Sequence, residues 1–311
     1  MPNKLKTVDS IGVFSAKTNI SSNMAISKKV LAAILITITF WSTSYVGIRV
    51  GVRYYSPETL AAFRFIMASV FLGIYAVITK MRLPNLKDLP LILFNGFIGF
   101  FLYNLILNMG TKSVTAGVSS FLISTAPLFT TFFSIIFLKE KINVWGWLGI
   151  VLSFLGIGII TFSENSNSSI NSGVLLVLFA SILISLYNIF QKYLLVKYKP
   201  VEAATYCIWS GTLFMLIFIP KLVKQISYAP IHIDFVIVYL GIFPAAIGYI
   251  LWSYALSKTA KAGNVASFMY LTPMLTLVIG WISIKEIPHI ISVIGGFVVL
   301  GGMLLTNIRG K

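Results

Sequence analysis

The chain has very few charged residues and almost none of the side chains that build catalytic or metal sites. Only 10% of its 311 residues are charged, whereas about a quarter of a typical soluble domain is charged. It contains one cysteine and two histidines. Cys207 cannot form an internal disulfide, and its position inside an apolar run favours a small buried hydrophobic residue. His232 and His289 lie far apart, with no carboxylates or cysteines clustered around them, and no nucleophile motif or phosphate loop occurs. We therefore expect no enzyme, no metal site and no cofactor.

Apolar residues instead make up 58% of the chain, in blocks of about 18 to 25 residues, the length that crosses about 30 Å of hydrocarbon. The sequence predicts an all-α polytopic membrane protein with ten transmembrane helices, with the lipid bilayer as an obligatory partner. The predicted spans are Val30–Val50, Glu58–Thr79, Leu89–Gly110, Thr115–Leu138, Trp145–Phe162, Gly173–Leu195, Val201–Pro220, Asp234–Ser257, Asn264–Ile284 and His289–Ile308.

The net charge of +16 could indicate nucleic-acid binding, but its distribution favours another explanation. With the N-terminus inside, 17 Lys and Arg residues fall in cytoplasmic segments and 6 in outer ones, with Arg64 alone inside a helix. The positive-inside rule then places both termini in the cytoplasm. We expect no nucleic-acid partner and predict a multi-pass protein of the cell inner membrane.

The sequence repeats itself. STAPLFTTFFSIIFLKE (Ser124–Glu140) aligns without a gap with YLTPMLTLVIGWISIKE (Tyr270–Glu286), so that Pro127 pairs with Pro273 at an offset of 146 residues. YSPETLAAF (Tyr55–Phe63) meets YKPVEAATY (Tyr198–Tyr206) at an offset of 143. Each half would hold five spans, and because five is odd, the second half would enter the membrane inverted. Inverted repeats are typical of secondary transporters, in which exchange of conformation between the halves alternates access to the two sides.

The repeat predicts the domain organisation. Residues 1–29 form a polar cytoplasmic tail, 30–163 the first five-helix repeat, 164–172 a polar linker, 173–308 the second repeat and 309–311 a cytoplasmic C-terminus.

Several motifs carry a resemblance to a known family. They are FWSTSYVGIRVG, LAAFRF, STAPLFTTFFSIIFLKEKI and YLTPMLTLVIGWISIKE, together with a Gly-rich last helix in each half. In this arrangement the chain resembles the EamA-type branch of the drug/metabolite transporter superfamily over about Val30 to Ile308. The resemblance implies a bacterial-type inner-membrane carrier, commonly an exporter of amino acids or other small metabolites. It leaves open the substrate, the direction, the coupling ion and the oligomeric state.

Polar residues inside the spans are costly in lipid and usually face a cavity or another helix. They fall on matched faces of the two halves and predict a central cavity lined by spans 1, 3, 4, 6, 8 and 9, which the resemblance also implies. For any single serine or tyrosine, a hydrogen bond between helices is the alternative explanation. The candidate substrate-binding residues are Trp41, Ser44, Tyr45, Arg64, Asn104, Asn108, Ser120, Ser124, Tyr187, Asn188, Tyr249, Trp252 and Tyr270.

Pro127, Pro244 and Pro273 are predicted to lie within helices, away from their ends, where proline frees the carbonyl four residues earlier. Pro127 and Pro273 are candidate gating hinges, whereas Pro244, which has no partner in the first half, favours a static kink.

Arg64 would either attract a substrate carboxylate or helix carbonyls, or extend to the outer interface near Glu58.

Two further features concern packing and energetics. Glu286 at the end of the ninth span favours an ion pair or a helix cap over a proton site. No acidic residue lies in the middle of a span, so a facilitator or exchanger is as consistent with the sequence as proton coupling.

Glycines seven residues apart, Gly149 with Gly156 and Gly295 with Gly302, predict close packing of spans 5 and 10, with a homodimer contact as the alternative.

The sequence therefore favours a secondary transporter of a small organic solute, with export of amino acids or related metabolites first. Uptake or exchange of a nucleotide-like metabolite is an alternative, although the scarcity of cations in the spans disfavours phosphates. A non-transporting assembly or lipid-handling protein is a third, but it would not require two inverted halves.

Overall fold

The computed structural model describes residues 27–138, 143–163, 171–258 and 267–309. Some predictions lie outside these ranges. They concern residues 1–26 of the tail, 164–170 of the linker, 310–311 of the C-terminus, the first Lys-Glu pair at 139–140 and the beginning of the ninth span at 264–266.

Every regular element in the described ranges is helical, and no strand occurs there. Short π-helical or 3₁₀ stretches join several of the α-helices. The α-helices are α1 (Lys28–Gly51), α2 (Pro57–Ile78), α3 (Leu89–Gly96), α4 (Tyr103–Thr111), α5 (Ala116–Ile123), α6 (Ala126–Leu138), α7 (Val144–Ser163), α8 (Ser172–Lys197), α9 (Pro200–Met215), α10 (Ile219–Ile226), α11 (Ile231–Leu240), α12 (Tyr249–Ser257), α13 (Leu271–Ile284) and α14 (Ile290–Arg309).

These helices join into segments long enough to cross a membrane. The described residues hold 8 helical segments of sufficient length and apolarity, and two shorter apolar helices, Phe268–Ile284 and Ile290–Thr306, follow them. The chain is a multi-pass helical membrane protein. The seventh segment runs to Ile226, beyond the predicted end at Pro220. Pro220 does not end it because it lies in the first turn of α10, where its missing N–H would have no partner in any case.

Local sequence explains where several helices begin. The Ser27 hydroxyl accepts the Val30 N–H at 3.3 Å and caps α1. The Thr115 hydroxyl accepts the Val118 N–H at 3.2 Å and caps α5. Pro57 and Pro200, which the repeat pairs, are the first residues of α2 and α9. These side chains satisfy or remove the N–H groups that a helix leaves unpaired at its first turn.

The fourth and ninth spans are interrupted, and the prediction that Pro127 and Pro273 lie well inside continuous helices is wrong. α5 ends at Ile123 and α6 begins at Ala126, so Pro127 is in the first turn of a new helix. Pro273 is in the first turn of α13, directly after a 3₁₀ turn at Ser267–Tyr270. Proline is tolerated at these positions because the first N–H groups of a helix have no helical acceptor. Their role as gating hinges stays a prediction.

The glycines of the fifth and tenth helices pack the two helices against each other. A side chain added at Gly149 would lie 2.4 Å from the carbonyl oxygen of Gly302, and one at Gly156 would lie 2.7 Å from that of Gly295. The Ser153 hydroxyl also donates to the Val299 carbonyl at 3.3 Å. The predicted packing of spans 5 and 10 is confirmed. A homodimer stays a prediction, and its contact would have to use other residues because these four glycines are covered within the chain.

Candidate functional site

A cavity lies between helices from both predicted halves of the chain. Its empty volume is about 550 Å³, which includes the part open to its surroundings. Each span that was predicted to line a cavity contributes at least one residue, and the second span adds Arg64. We call this space the central cavity; its lining residues are Trp41, Ser44, Tyr45, Ile48, Arg64, Tyr103, Asn104, Leu107, Ile123, Ile184, Asn188, Tyr249, Trp252 and Met269.

Several predicted site residues lie outside this lining. The hydroxyls of Ser120 and Ser124 donate to carbonyls of their own helical turn, Gly117 at 2.6 Å and Ser120 at 2.8 Å. The Asn108 amide donates to the Pro57 carbonyl at 3.0 Å. The two serines bond to backbone of their own helix, not between helices as the alternative expected, whereas Asn108 bonds to the first residue of another helix, α2.

The two remaining predicted residues outside the lining are buried aromatic side chains. Tyr187 packs behind the cavity wall, with its ring 5.2 Å from Phe100 and 6.3 Å from Tyr249. Tyr270 is buried in the main apolar core.

The lining residues that sequence reasoning missed are mostly apolar: Ile48, Leu107, Ile123, Ile184 and Met269. A search restricted to polar groups cannot find them. Tyr103 was also missed, although a signal existed, because Tyr249, a predicted site residue, follows it by 146 residues, the offset of the first motif.

An aromatic cluster forms one wall of the central cavity. The Trp41 ring lies 5.0 Å from Trp252 and 5.4 Å from Tyr249, and Phe100 lies 4.9 Å from Tyr249 behind them. Tilted contacts at these distances are favourable for aromatic rings. The wall offers ring faces to an apolar or cationic part of a ligand.

Among the described residues that line the central cavity, Arg64 is the one that carries a charge. Its side chain is buried, with 4% of the residue exposed. Nε donates to the Leu240 carbonyl at 3.3 Å, and Nη1 donates to Asn104 Oδ1 at 3.4 Å. The alternative in which Arg64 extends to the interface beside Glu58 is wrong, because Arg64 is buried and bonds to Leu240 and Asn104. Glu58 is paired instead with Lys221 at 2.5 Å. The predicted attraction to carbonyls of a neighbouring helix is confirmed.

Pro244 removes one donor that would compete with Arg64 for the Leu240 carbonyl. In an α-helix the N–H of residue 244 would donate to the carbonyl of residue 240, and proline has no N–H. The chain around Pro244 forms a π-helical stretch from Gly241 to Gly248. The carbonyl of Pro244 itself accepts the Trp41 Nε1–H at 3.3 Å. This helix distortion therefore holds two cavity residues, one through each carbonyl.

A charged cluster joins four helix ends beside the cavity. Arg49 Nε pairs with Glu286 Oε1 at 2.7 Å, and Arg49 Nη1 donates to the carbonyls of Thr111 and Lys112 at 2.9 and 2.8 Å. Glu286 Oε2 accepts the Ala116 N–H at 3.0 Å. The predicted ion pair of Glu286 is confirmed, and its cap falls on α5 rather than on the helix that follows it. We call this group the Arg49 cluster.

Two further contacts between the predicted halves are equivalent under the sequence repeat. The Tyr55 hydroxyl donates to Asp234, and the Tyr198 hydroxyl donates to Asp88 at 2.7 Å. Tyr198 follows Tyr55 by 143 residues, and Asp234 follows Asp88 by 146, the same offsets that the sequence motifs show. Burial raises the pKa of both tyrosines, so that their hydroxyls stay protonated and can donate.

A second pair of contacts follows the same rule. Thr59 donates to Gln225, and Arg82 pairs with Glu202 at 3.2 Å. Glu202 follows Thr59 by 143 residues, and Gln225 follows Arg82 by the same 143. The Tyr55 cluster (Tyr55, Thr59, Gln225, Asp234) lies at the beginning of α2, and the Tyr198 cluster (Arg82, Asp88, Tyr198, Glu202) lies beyond its end. A helix of 22 residues separates them by about 33 Å.

Comparison with known proteins places this geometry in context. The model of the EamA-like transporter family matches residues 28–162 and 171–308. "Uncharacterized transporter YdfC" of Bacillus subtilis (strain 168) is 40% identical over 272 residues, which cover 88% of this chain and 89% of that protein. An "Uncharacterized transporter" of Archaeoglobus fulgidus is 32% identical over 270 residues, covering 87% of this chain and 95% of that protein.

One relative has a more specific name. The "Probable terminal-alkyne amino-acid exporter" of Streptantibioticus cattleyicolor is 33% identical over 286 residues, covering 92% of this chain and 95% of that protein. A crystal structure with 17% sequence identity aligns with a TM-score of 0.58, covering 89% of this chain and 97% of that chain. That likeness concerns the fold alone.

Proposed function

The chain belongs to the EamA-like transporter family, and from this premise we propose that it is a secondary transporter that exports amino acids or closely related small metabolites. The observation that carries the proposal is the central cavity. It combines an aromatic wall, amide side chains and one buried arginine, and it is built from both halves of the chain. The name of the Streptantibioticus relative supports amino acids as the first substrate class to test.

The transport mechanism that we propose is alternating access between two inverted five-helix repeats, residues 30–163 and 173–308. Both termini would lie in the cytoplasm, and the protein would lie in the inner membrane, in agreement with the positive-inside distribution of Lys and Arg. The repeat-equivalent Tyr55 and Tyr198 clusters support this mechanism because they lie at opposite ends of α2. Opening one end would break one cluster while the other stays closed.

The first test is ligand binding to the purified protein in detergent. The melting temperature is measured with each of the twenty common amino acids, with L-propargylglycine as a terminal-alkyne amino acid, and with nucleotides. A ligand that binds only the folded state raises the melting temperature. At a concentration of a hundred times its Kd, it adds about 2.7 kcal/mol to the free energy of unfolding. We expect a shift with one or more amino acids.

A matched pair of variants locates the binding. Trp41→Ala removes a ring from the cavity wall and should abolish the shift. Trp147→Ala removes a ring from the outer face of α7, where 49% of Trp147 is exposed, and should keep it. A shift with nucleotides alone would favour the alternative substrate class, and equal shifts in both variants would contradict binding in the central cavity.

A further inference from the structure

We propose that Arg64 is the subsite that binds the carboxylate of the substrate. This inference rests on the proposed function and makes it more specific. It assigns to the central cavity a solute with one carboxylate on a largely apolar body, and it assigns the carboxylate to the Nη face of the Arg64 guanidinium.

The first argument is charge. Arginine stays protonated in proteins, and an isolated charge in a low-dielectric interior is strongly disfavoured. None of the described residues that line the central cavity is an aspartate or a glutamate. The titratable side chains that act electrostatically on Arg64 are Tyr45, Tyr103 and Tyr249, whose hydroxyls are neutral at physiological pH. A bound carboxylate would supply the missing negative charge.

The second argument is the number of donors. A guanidinium has five N–H groups, and Arg64 makes two hydrogen bonds within the described part of the chain, one from Nε and one from Nη1. Both are long, at 3.3 and 3.4 Å. Nη2 makes no hydrogen bond there, and Arg64 lines the cavity. A planar guanidinium with open Nη donors matches the two oxygens of a carboxylate.

The third argument is that the surroundings hold Arg64 in place. Asn104 Nδ2 donates to the Phe100 carbonyl at 2.9 Å, which turns Oδ1 of the same amide toward Arg64. The Leu240 carbonyl receives no N–H from Pro244, and it accepts Nε from the other side. These two acceptors leave the Nη edge for a ligand, so the arginine is oriented before the ligand binds.

The rest of the cavity limits what the carboxylate can be attached to. The other lining residues are aromatic, aliphatic, amide or hydroxyl side chains, which suit an apolar side chain. A ligand ammonium group would meet ring faces and neutral oxygen acceptors. With one cation in the lining, a phosphate or a second carboxylate would keep an unpaired negative charge.

The experiment compares the acid and carboxamide forms of the same ligand. The amino acid that gives the largest melting shift with the wild type is titrated beside its carboxamide, which keeps the side chain and the ammonium group but has no carboxylate. In the wild type we expect the acid to bind at least about 30-fold more tightly than the amide, since loss of one partner from a buried charged pair has effects of this size. In Arg64→Gln the acid should fall to the affinity of the amide, while the amide keeps its own.

Two further variants separate recognition from folding. Arg64→Lys keeps the charge and should restore part of the preference for the acid. Arg53→Gln removes an exposed cation and should leave the ratio of acid to amide unchanged. If Arg64→Gln does not fold, the ratio in the wild type decides alone.

The outcomes distinguish the inference from the proposed function. An amide that binds as tightly as the acid to the wild type, or a preference for the acid that survives in Arg64→Gln, would overturn the carboxylate subsite while amino-acid transport stands. A wild type that binds no amino acid at all would overturn the proposed function, and the inference with it.

Discussion

The Arg49 cluster should hold its end of the central cavity closed, and Glu286→Gln tests this. Glu286 connects the end of α13 to Arg49 on α1 and to the first N–H of α5. Glutamine keeps one acceptor oxygen but loses the charge, so the ion pair is lost while the side chain keeps its size. The side chains of Arg49 and Glu286 are 22% and 14% exposed, between the exposed and the fully buried cases.

The size of the effect follows from this partial burial. Exposed ion pairs contribute about 0 to 1 kcal/mol, and hydrogen bonds to charged groups contribute about 1.5 to 3 kcal/mol. For the partly buried pair we expect about 1 to 2 kcal/mol, which changes the equilibrium for opening this end by about 5- to 30-fold.

Cysteine labelling measures that equilibrium. Cys207 is buried and is the only cysteine in the chain, so Cys207→Ala gives a background without thiols. Ser44→Cys then places one thiol in the lining of the central cavity. A membrane-impermeant maleimide added on the Arg49 side should label it about 5- to 30-fold faster in Glu286→Gln, because labelling follows the population of the open state.

The control is Glu58→Gln at the same end of the molecule. Its partner Lys221 has a 53% exposed side chain, so we expect about a twofold change, the size for an exposed pair. An unchanged labelling rate in Glu286→Gln, or faster labelling from the opposite side alone, would refute the role of the cluster.

The remaining predictions concern the paired contacts and the packing. Tyr55→Phe and Tyr198→Phe each remove one hydrogen bond to a carboxylate, worth about 1.5 to 3 kcal/mol, and should shift labelling of the cavity thiol in opposite directions between the two membrane sides; shifts in the same direction would contradict their roles at opposite ends. Gly149→Ala puts a methyl group 2.4 Å from a carbonyl oxygen of α14 and should cost about 1 to 3 kcal/mol, seen as a lower melting temperature, whereas Gly158→Ala, whose methyl group meets no other described part of the chain within 4 Å, should not lower the melting temperature. Pro244→Ala returns an N–H that competes for the carbonyl now bound to the cavity arginine, and should weaken binding of the acid ligand by about 2- to 10-fold without affecting its amide; equal losses for both would contradict a positioning role.

The sequence repeat predicted much of the architecture but not the course of the interrupted helices. A continuous apolar run from Thr115 to Leu138 gives no sign of where one helix ends and another begins. Pro127 is compatible with a kink inside one helix and with the first turn of a new one, because proline lacks the same N–H in both cases. The choice depends on how α5 and α6 pack against α8, and a local motif cannot show that.

Partners across the chain were the least predictable part of the site. Arg64 was identified from its charge inside a span, but its acceptors at Leu240 and Asn104 depend on how α2, α4 and α11 come together. Glu286 was expected in an ion pair, yet Arg49, its partner, is 237 residues away. The paired aspartates Asp88 and Asp234 were not recognised in sequence, although their separation of 146 residues equals the offset between Pro127 and Pro273.

The most direct test of the central claim is counterflow of an amino acid across proteoliposomes. Vesicles containing the wild type, Trp41→Ala or Trp147→Ala are loaded with the unlabelled amino acid that binds best, and uptake of the labelled form is followed. Transport through the central cavity predicts saturable uptake by the wild type and by Trp147→Ala, and uptake close to empty vesicles for Trp41→Ala. Uptake by all three proteins at the same rate, or by none of them when the protein is folded in the vesicle, would contradict it.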